Sequence, residues 1–188
     1  MAGKARRAVY ADIEVLPENK VGEIIDGELF VSPRPALPHA HAASVIGAVL
    51  GSRFHGPKNG PDFGGGWWIL DEPELHFGTD VLVPDIGAWR RERLPSLPNA
   101  PALTIVPDWV CEVISPSTGR LDRTRKMPLY AREGLQHLWL VDPLLRTLEV
   151  YRLEAGQWLV TATYGGDDVA SVEPFAAVEL RLARWWPD

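Results

Sequence analysis

Val81–Trp89 reads VLVPDIGAW, and Pro107–Pro143 reads PDWVCEVISPSTGRLDRTRKMPLYAREGLQHLWLVDP. Each stretch holds a short apolar run with one carboxylate where a core strand would favour none. These are Asp85, after Val83-Pro84, and Glu112, between Cys111 and Val113. A basic segment with helical character, holding Lys126, follows the second run, and Leu135–Val141 forms a third apolar run. A buried carboxylate costs several kcal/mol unless it is paired, hydrogen-bonded or metal-bound. Two acids on neighbouring strands would also repel each other, and a divalent cation removes that cost. Two acids and a lysine are the minimum set for holding a hard cation and activating a water, because Mg²⁺ takes few carboxylates and keeps waters.

Working outward, the chain has 188 residues, 46% apolar and 23% charged. That suits one well-cored domain over residues 1–188. No apolar run is long enough to span a bilayer. The N-terminal MAGKARRAVYADIEVLP is basic without an apolar core, so it does not read as a signal peptide. One cysteine, Cys111, precludes an intrachain disulfide and fits a reducing compartment, so a cytoplasmic protein is expected. A net charge of −6 argues against broad attraction to nucleic acid but leaves room for a local basic strip. The eight tryptophans read as core and interface packing, and Trp185-Trp186 as packing or an oligomer contact before a base-stacking platform.

In chain order, a short helix is predicted to end near Leu16-Pro17. Asp26-Gly27 between two apolar segments predicts a hairpin of strands Val21–Ile25 and Glu28–Ser32. The spacing of Ala42, Val45, Ile46, Val49 and Leu50 predicts a helix over 39–54, with Gly47 and Gly51 open to a close neighbour. Residues 56–66 read as a loop without a phosphate-loop pattern. Strands are predicted at Trp67–Leu70, within Thr79–Trp89, at Trp109–Ile114, Leu135–Val141, Leu148–Leu153 and Gln157–Tyr164. An acidic turn, DEPE, follows the first of these, and Glu154-Ala155-Gly156 turns the last pair. A helix is predicted over 120–132 with Gly134 as its stop. The tail, Val178–Trp186, is expected to close the sheet. The fold class is α/β in the mixed α+β sense: a mixed sheet with helices packed on it.

The ordered motifs GEIIDGELFVSP, VPDIGAW, PDWVCEVISPST, then Asp122, Lys126 and Tyr130 at four-residue spacing, then Gly134, Trp139, Val141, Asp142 and Pro143, resemble the Uma2 family of endonucleases over roughly Glu23–Tyr151. That family lies within the PD-(D/E)XK, or restriction-endonuclease-like, superfamily. The resemblance implies a central mixed β-sheet flanked by helices and a Mg²⁺-dependent (or Mn²⁺-dependent) phosphodiesterase site. It makes Asp85 and Glu112 the metal-binding acids. Ile114 occupies the position of the superfamily lysine, so the lysine role moves to Lys126. Glu23 resembles a further catalytic acid, and His39 a supporting histidine, with His41 as a competing register. Asp122 would orient Lys126 through an i,i+4 pair, and Tyr130 completes the supporting set.

Other readings weigh against these. Asp85 could cap a turn, Glu112 could pair with an arginine, and Lys126 could belong to a solvated basic face. Cys111 reads as a small core residue, and the histidines show no zinc spacing. Arg120, Arg123 and Arg125, with Arg90, Arg91 and Arg93, are candidate phosphate contacts or a solvated surface. The sequence therefore predicts a metal-dependent endonuclease acting on DNA, expected as a homodimer because closed twofold pairs are commonest. The alternative is a catalytically inactive module of the same fold that binds nucleic acid or protein. A glycosidase would need acids about 5–10 Å apart across a sugar cleft, and no sugar-binding pattern accompanies them.

Overall fold

The computed structural model describes residues 6–56 and 65–187. Most of the predicted loop 56–66 (residues 57–64) lies outside the described residues. The helix α1, Tyr10–Glu14, leads into the hairpin β1, Lys20–Ile25, and β2, Glu28–Pro33. Asp26 and Gly27 both have positive φ, 53° and 82°, the backbone a two-residue turn needs to match strand twist. The helix α2, Leu37–Phe54, starts two residues earlier than predicted, with Pro38 in its first turn, where a missing N–H costs nothing. Its buried stripe, Ala42, Ile46, Leu50 and Phe54, repeats every four residues and seats the helix on the sheet. Each fully buried Ile or Leu there contributes about 1.5–3 kcal/mol. Gly47 does admit a close neighbour, the Asp71 carboxylate, while Gly51 faces nothing within 4 Å.

The remaining strands are β3 (Trp67–Asp71), β4 (Leu75–Phe77), β5 (Asp80–Leu82), β6 (Ile86–Arg90), β7 (Trp109–Val113), β8 (His137–Asp142), β9 (Thr147–Glu154), β10 (Gln157–Gly165), β11 (Val169–Ala170) and β12 (Leu180–Arg181). A six-stranded sheet has the order β10-β9-β8-β7-β6-β3. Only β7 and β8 are parallel, so the sheet is mixed, as predicted. A four-stranded antiparallel sheet has the order β2-β1-β5-β4.

Two expectations are corrected here. The predicted strand in Thr79–Trp89 is two strands, because Val83-Pro84-Asp85 carries the chain from the small sheet to the large one. Proline supplies no ladder donor, which favours the break at that point. The tail does not close the main sheet. β12 pairs only with the two-residue β11, and Leu182, Trp185 and Trp186 pack into the apolar layer beneath α2. Burial of two indoles outweighs strand extension there. The short β4, just after the acidic turn, was not predicted.

The parallel step from β7 to β8 needs a crossover. It is made by α3 (Gly119–Leu121), a π turn over Asp122–Lys126, and α4 (Met127–Glu133). The π turn closes through Met127 N–H donating to the Asp122 carbonyl. Pro128 accounts for the wider turn: it has no N–H for the Thr124 carbonyl, and its ring would strike that carbonyl in a regular helix. Gly134 ends α4 at φ 81°, where the left-handed conformation suits glycine.

Candidate active site

Strand β7 runs through the middle of the large sheet, so its side chains alternate between two buried layers. Trp109, Cys111 and Val113 enter the layer under α2, and Val110 enters the opposite layer with Leu129, Tyr130 and Leu138. Glu112 has the same parity as Val110. It is 3% exposed and meets the π turn and α4, which pack over that side.

Four acids converge on the end of β7 from four parts of the chain. Glu23 comes from β1 of the small sheet, Asp85 from the link between the sheets, Glu112 from β7 and Asp122 from the π turn. Lys126 Nζ lies 3.0 Å from Glu112 Oε1, 3.0 Å from Glu112 Oε2, 3.0 Å from Glu23 Oε1 and 3.6 Å from Asp122 Oδ1. The Tyr130 hydroxyl donates to Glu112 Oε1 at 2.6 Å. Val83 N–H donates to Glu23 Oε1 at 2.9 Å, and Val113 N–H to Asp85 Oδ2 at 2.6 Å. His39, in the first turn of α2, places Nε2 3.2 Å from Asp85 Oδ1. His41 instead lies 3.3 Å from the Arg184 carbonyl, away from the acids. Ile114, where the superfamily lysine would stand, is an apolar core residue.

The electrostatics follow from burial and charge imbalance. Four carboxylates face one ammonium and one imidazole. Burial pushes the Glu112 carboxyl well above the usual carboxylate range, against the pull of Lys126. Burial raises Asp122 in the same way. For Lys126, burial opposes the charge, but Glu112 and Glu23 override it and hold the ammonium well above the ordinary lysine value. Burial likewise opposes charge on His39, and the Asp85 carboxylate more than offsets it. Tyr130 is driven up by burial and then by the Glu112 charge, so it remains a donor.

The acids open onto a cleft of about 280 Å³ lined by Glu23, His39, Asp85, Glu112, Asp122 and Lys126. Its walls are Pro33–Ala36 on one side and Ser115–Thr118 on the other. Sequence reasoning missed Arg34, Ser117 and Thr118 on these walls, and Glu72, which lines the cleft from the turn after β3. They sit on loops at strand ends, where functional side chains concentrate, and that placement was the available signal.

The six candidate arginines separate. Arg120, Arg123 and Arg125 lie on the helical crossover outside the cleft, Arg120 and Arg125 on a neighbouring surface that meets it at Ser117 and Arg123 on the side of Trp158. Arg125 pairs with Glu28 at 2.5 Å and covers the Phe30 ring, and Arg123 lies 3.6 Å from Glu149. Arg90, Arg91 and Arg93 lie at the far end of β6, where Arg90 and Arg91 stack on Trp67 and Trp68 and Arg93 pairs with Asp108.

The donor set fits a hard divalent cation. It is all oxygen, carries more negative charge than its own cations balance, and leaves the buried Asp122 Oδ2 without a hydrogen-bond partner. Among the described residues, no group of three or more His, Cys, Asp or Glu side chains is spaced to hold a metal ion between them. Mg²⁺ requires none, since it is held by one or two carboxylates and keeps its waters.

A fold that delivers Asp85 and Glu112 to one cleft, with a lysine on Glu112, is that of a restriction-endonuclease-like protein. Residues 10–184 match the Uma2 family, described as "Putative restriction endonuclease". The chain belongs to the Uma2 family. It is also similar to a solved structure described as a "putative nuclease" from Anabaena variabilis, with 26% identity and a TM-score of 0.73. That match covers 95% of this chain and 97% of the other. No curated protein matches the chain. Among the described residues, no helix is long and apolar enough to cross a membrane.

Proposed function

We propose that the chain is a Mg²⁺-dependent endonuclease that hydrolyses DNA phosphodiester bonds. The observation that carries this reading is the buried contact of Glu112 with Lys126 beside Asp85, at the base of an open cleft. Asp85 and Glu112 would hold the cation, and Mn²⁺ could replace it. When bound, the cation would polarise a phosphoryl oxygen and balance charge as the phosphate is attacked.

The chain's own groups do the rest. His39 and the Val113 N–H fix the Asp85 carboxylate from two directions. Tyr130 fixes Glu112. Lys126 supplies the ammonium that orients the attacking water or stabilises charge on the phosphate oxygens. Glu23 and Asp122 position Lys126. Arg34 and Arg120, on the wall and beside the cleft, are the proposed phosphate contacts. A closed twofold dimer would supply two such sites for the two strands, a point that sedimentation equilibrium decides.

The test is plasmid cleavage by the purified chain with Mg²⁺ and with EDTA, alongside Asp85→Ala and Glu112→Ala. Nicking that needs Mg²⁺ and falls on the order of 10³-fold in each variant is expected. Cleavage that survives both substitutions would overturn the assignment.

A further inference from the structure

Lys126 has three N–H donors. Its partners in this structure are the carboxylates of Glu112, Glu23 and Asp122. In this arrangement the ammonium faces both oxygens of Glu112, one of the two acids proposed to hold the cation, and is ringed by three acids. Lys126 is 4% exposed. A lysine so placed turns its charge to the acids and not to a water or a phosphate, and Glu112 presents both oxygens to the ammonium where a metal would otherwise sit.

We infer that Lys126 is a built-in counter-cation that competes with the divalent cation for Glu112, so that cation binding releases the lysine for work on the substrate. The inference rests on the metal-dependent reading above and adds a regulatory step to it. The residues for such an exchange lie together. Asp122 and Lys126 are the two ends of one π turn, whose extra residue is a marginal register that recurs at functional sites. The turn is held open by Pro128 rather than by a tight hydrogen-bond ladder. Glu112 keeps its Tyr130 hydrogen bond while Lys126 leaves, so the acid stays aimed at the cleft. The apparent affinity for the cation is then the intrinsic affinity reduced by the fraction of molecules in which Glu112 is free.

The experiment is calorimetric titration of Mn²⁺ and Mg²⁺ into the wild type, Lys126→Met and Arg34→Met. Arg34 lines the same cleft but donates to the Glu18 carbonyl, so its removal subtracts one positive charge without freeing Glu112. Competition predicts about tenfold tighter binding or more in Lys126→Met, corresponding to a free-Glu112 fraction of about one in ten, and little gain in Arg34→Met. Equal gains in both variants, or none in Lys126→Met, would overturn the competition and leave the nuclease reading standing. Absence of binding in all three proteins at millimolar cation would overturn both.

A measurement on the wild type guards against misfolding of Lys126→Met. Reductive methylation of Lys126, followed by mass spectrometry, is expected to rise several-fold when saturating Mg²⁺ is added. Unchanged labelling would overturn the release.

Discussion

Along β7, Trp109, Cys111 and Val113 point to one side of the large sheet, and Val110 and Glu112 to the other. The first side is dry. Trp109, Trp139 and Phe175 meet edge to face with centroids 4.9–5.8 Å apart, and Trp185 stacks beyond them. The second side holds a buried acid tied to a lysine and a tyrosine. One strand thus carries two interiors, and the dry one makes the other possible. A charged cluster needs backbone that does not yield to repulsion, and the aromatic layer under α2 supplies that rigidity by packing. Cys111 belongs to the dry side, where burial raises its thiol well above the ordinary value and leaves it inert.

The sharpest way to break this contrast is on the dry side. Phe175 touches Phe54, Trp67, Trp109 and Trp139 and is fully buried. Phe175→Ala should cost about 3–5 kcal/mol, the range for truncating a buried aromatic. Urea unfolding checks this through the midpoint at unchanged slope. Mg²⁺ affinity of the folded fraction at low temperature should be unchanged, because no atom of the acid cluster is removed. A matching loss of cation affinity would mean that the two sides are not separable.

Tyr130 joins the two kinds of chemistry. Its ring packs with Leu129 and Leu138, and its hydroxyl serves Glu112. Tyr130→Phe keeps the packing and removes only the donor, so the cost is that of one hydrogen bond to a charged group, about 1.5–3 kcal/mol. The same urea experiment measures it. A loss below about 0.5 kcal/mol would show that Lys126 alone satisfies Glu112.

The division between the sides was partly legible in the sequence. The place of Glu112 inside an otherwise apolar run marked it as a buried acid, and Asp26-Gly27, the apolar stripe of α2 and the stop at Gly134 each depend on local rules that hold in the fold. Assignment of strands to sheets was not legible. Whether Asp80–Leu82 pairs with β1 or continues into β6 is decided by contacts distant in sequence, and a run such as VLVPDIGAW reads the same either way. The tail was misread for the same reason, since loose alternation over 178–186 does not say that two indoles are worth more buried than paired. In the site, the four-residue spacing of Asp122, Lys126 and Tyr130 was visible, and the structure sets them on one side of the crossover. His39 and His41 are two positions apart, about 200° around a helix. Only the docking of α2 determines which of them faces Asp85.

The smallest effect lies at the rim of the dry side and concerns pH. His137 opens β8 with the parity of Trp139 and Val141, so it belongs to the aromatic layer. Burial lowers its pKa below the ordinary histidine value. Glu173 pulls it up, and Arg90 and Arg152 push it down. The folded chain therefore keeps this imidazole neutral at a pH where the unfolded chain has begun to protonate it. With more protons bound in the unfolded state, stability falls as pH drops through about 6.5. The loss continues down to the lowered folded value. His137→Gln removes the titration and keeps a polar side chain beside Glu173. Melting temperatures of the wild type and the variant, taken from pH 7.5 to 5, should diverge below about 6.5, with the wild type losing more. Parallel curves over that range would place His137 in an environment as wet as the unfolded chain, and the dry side would then end at Trp139.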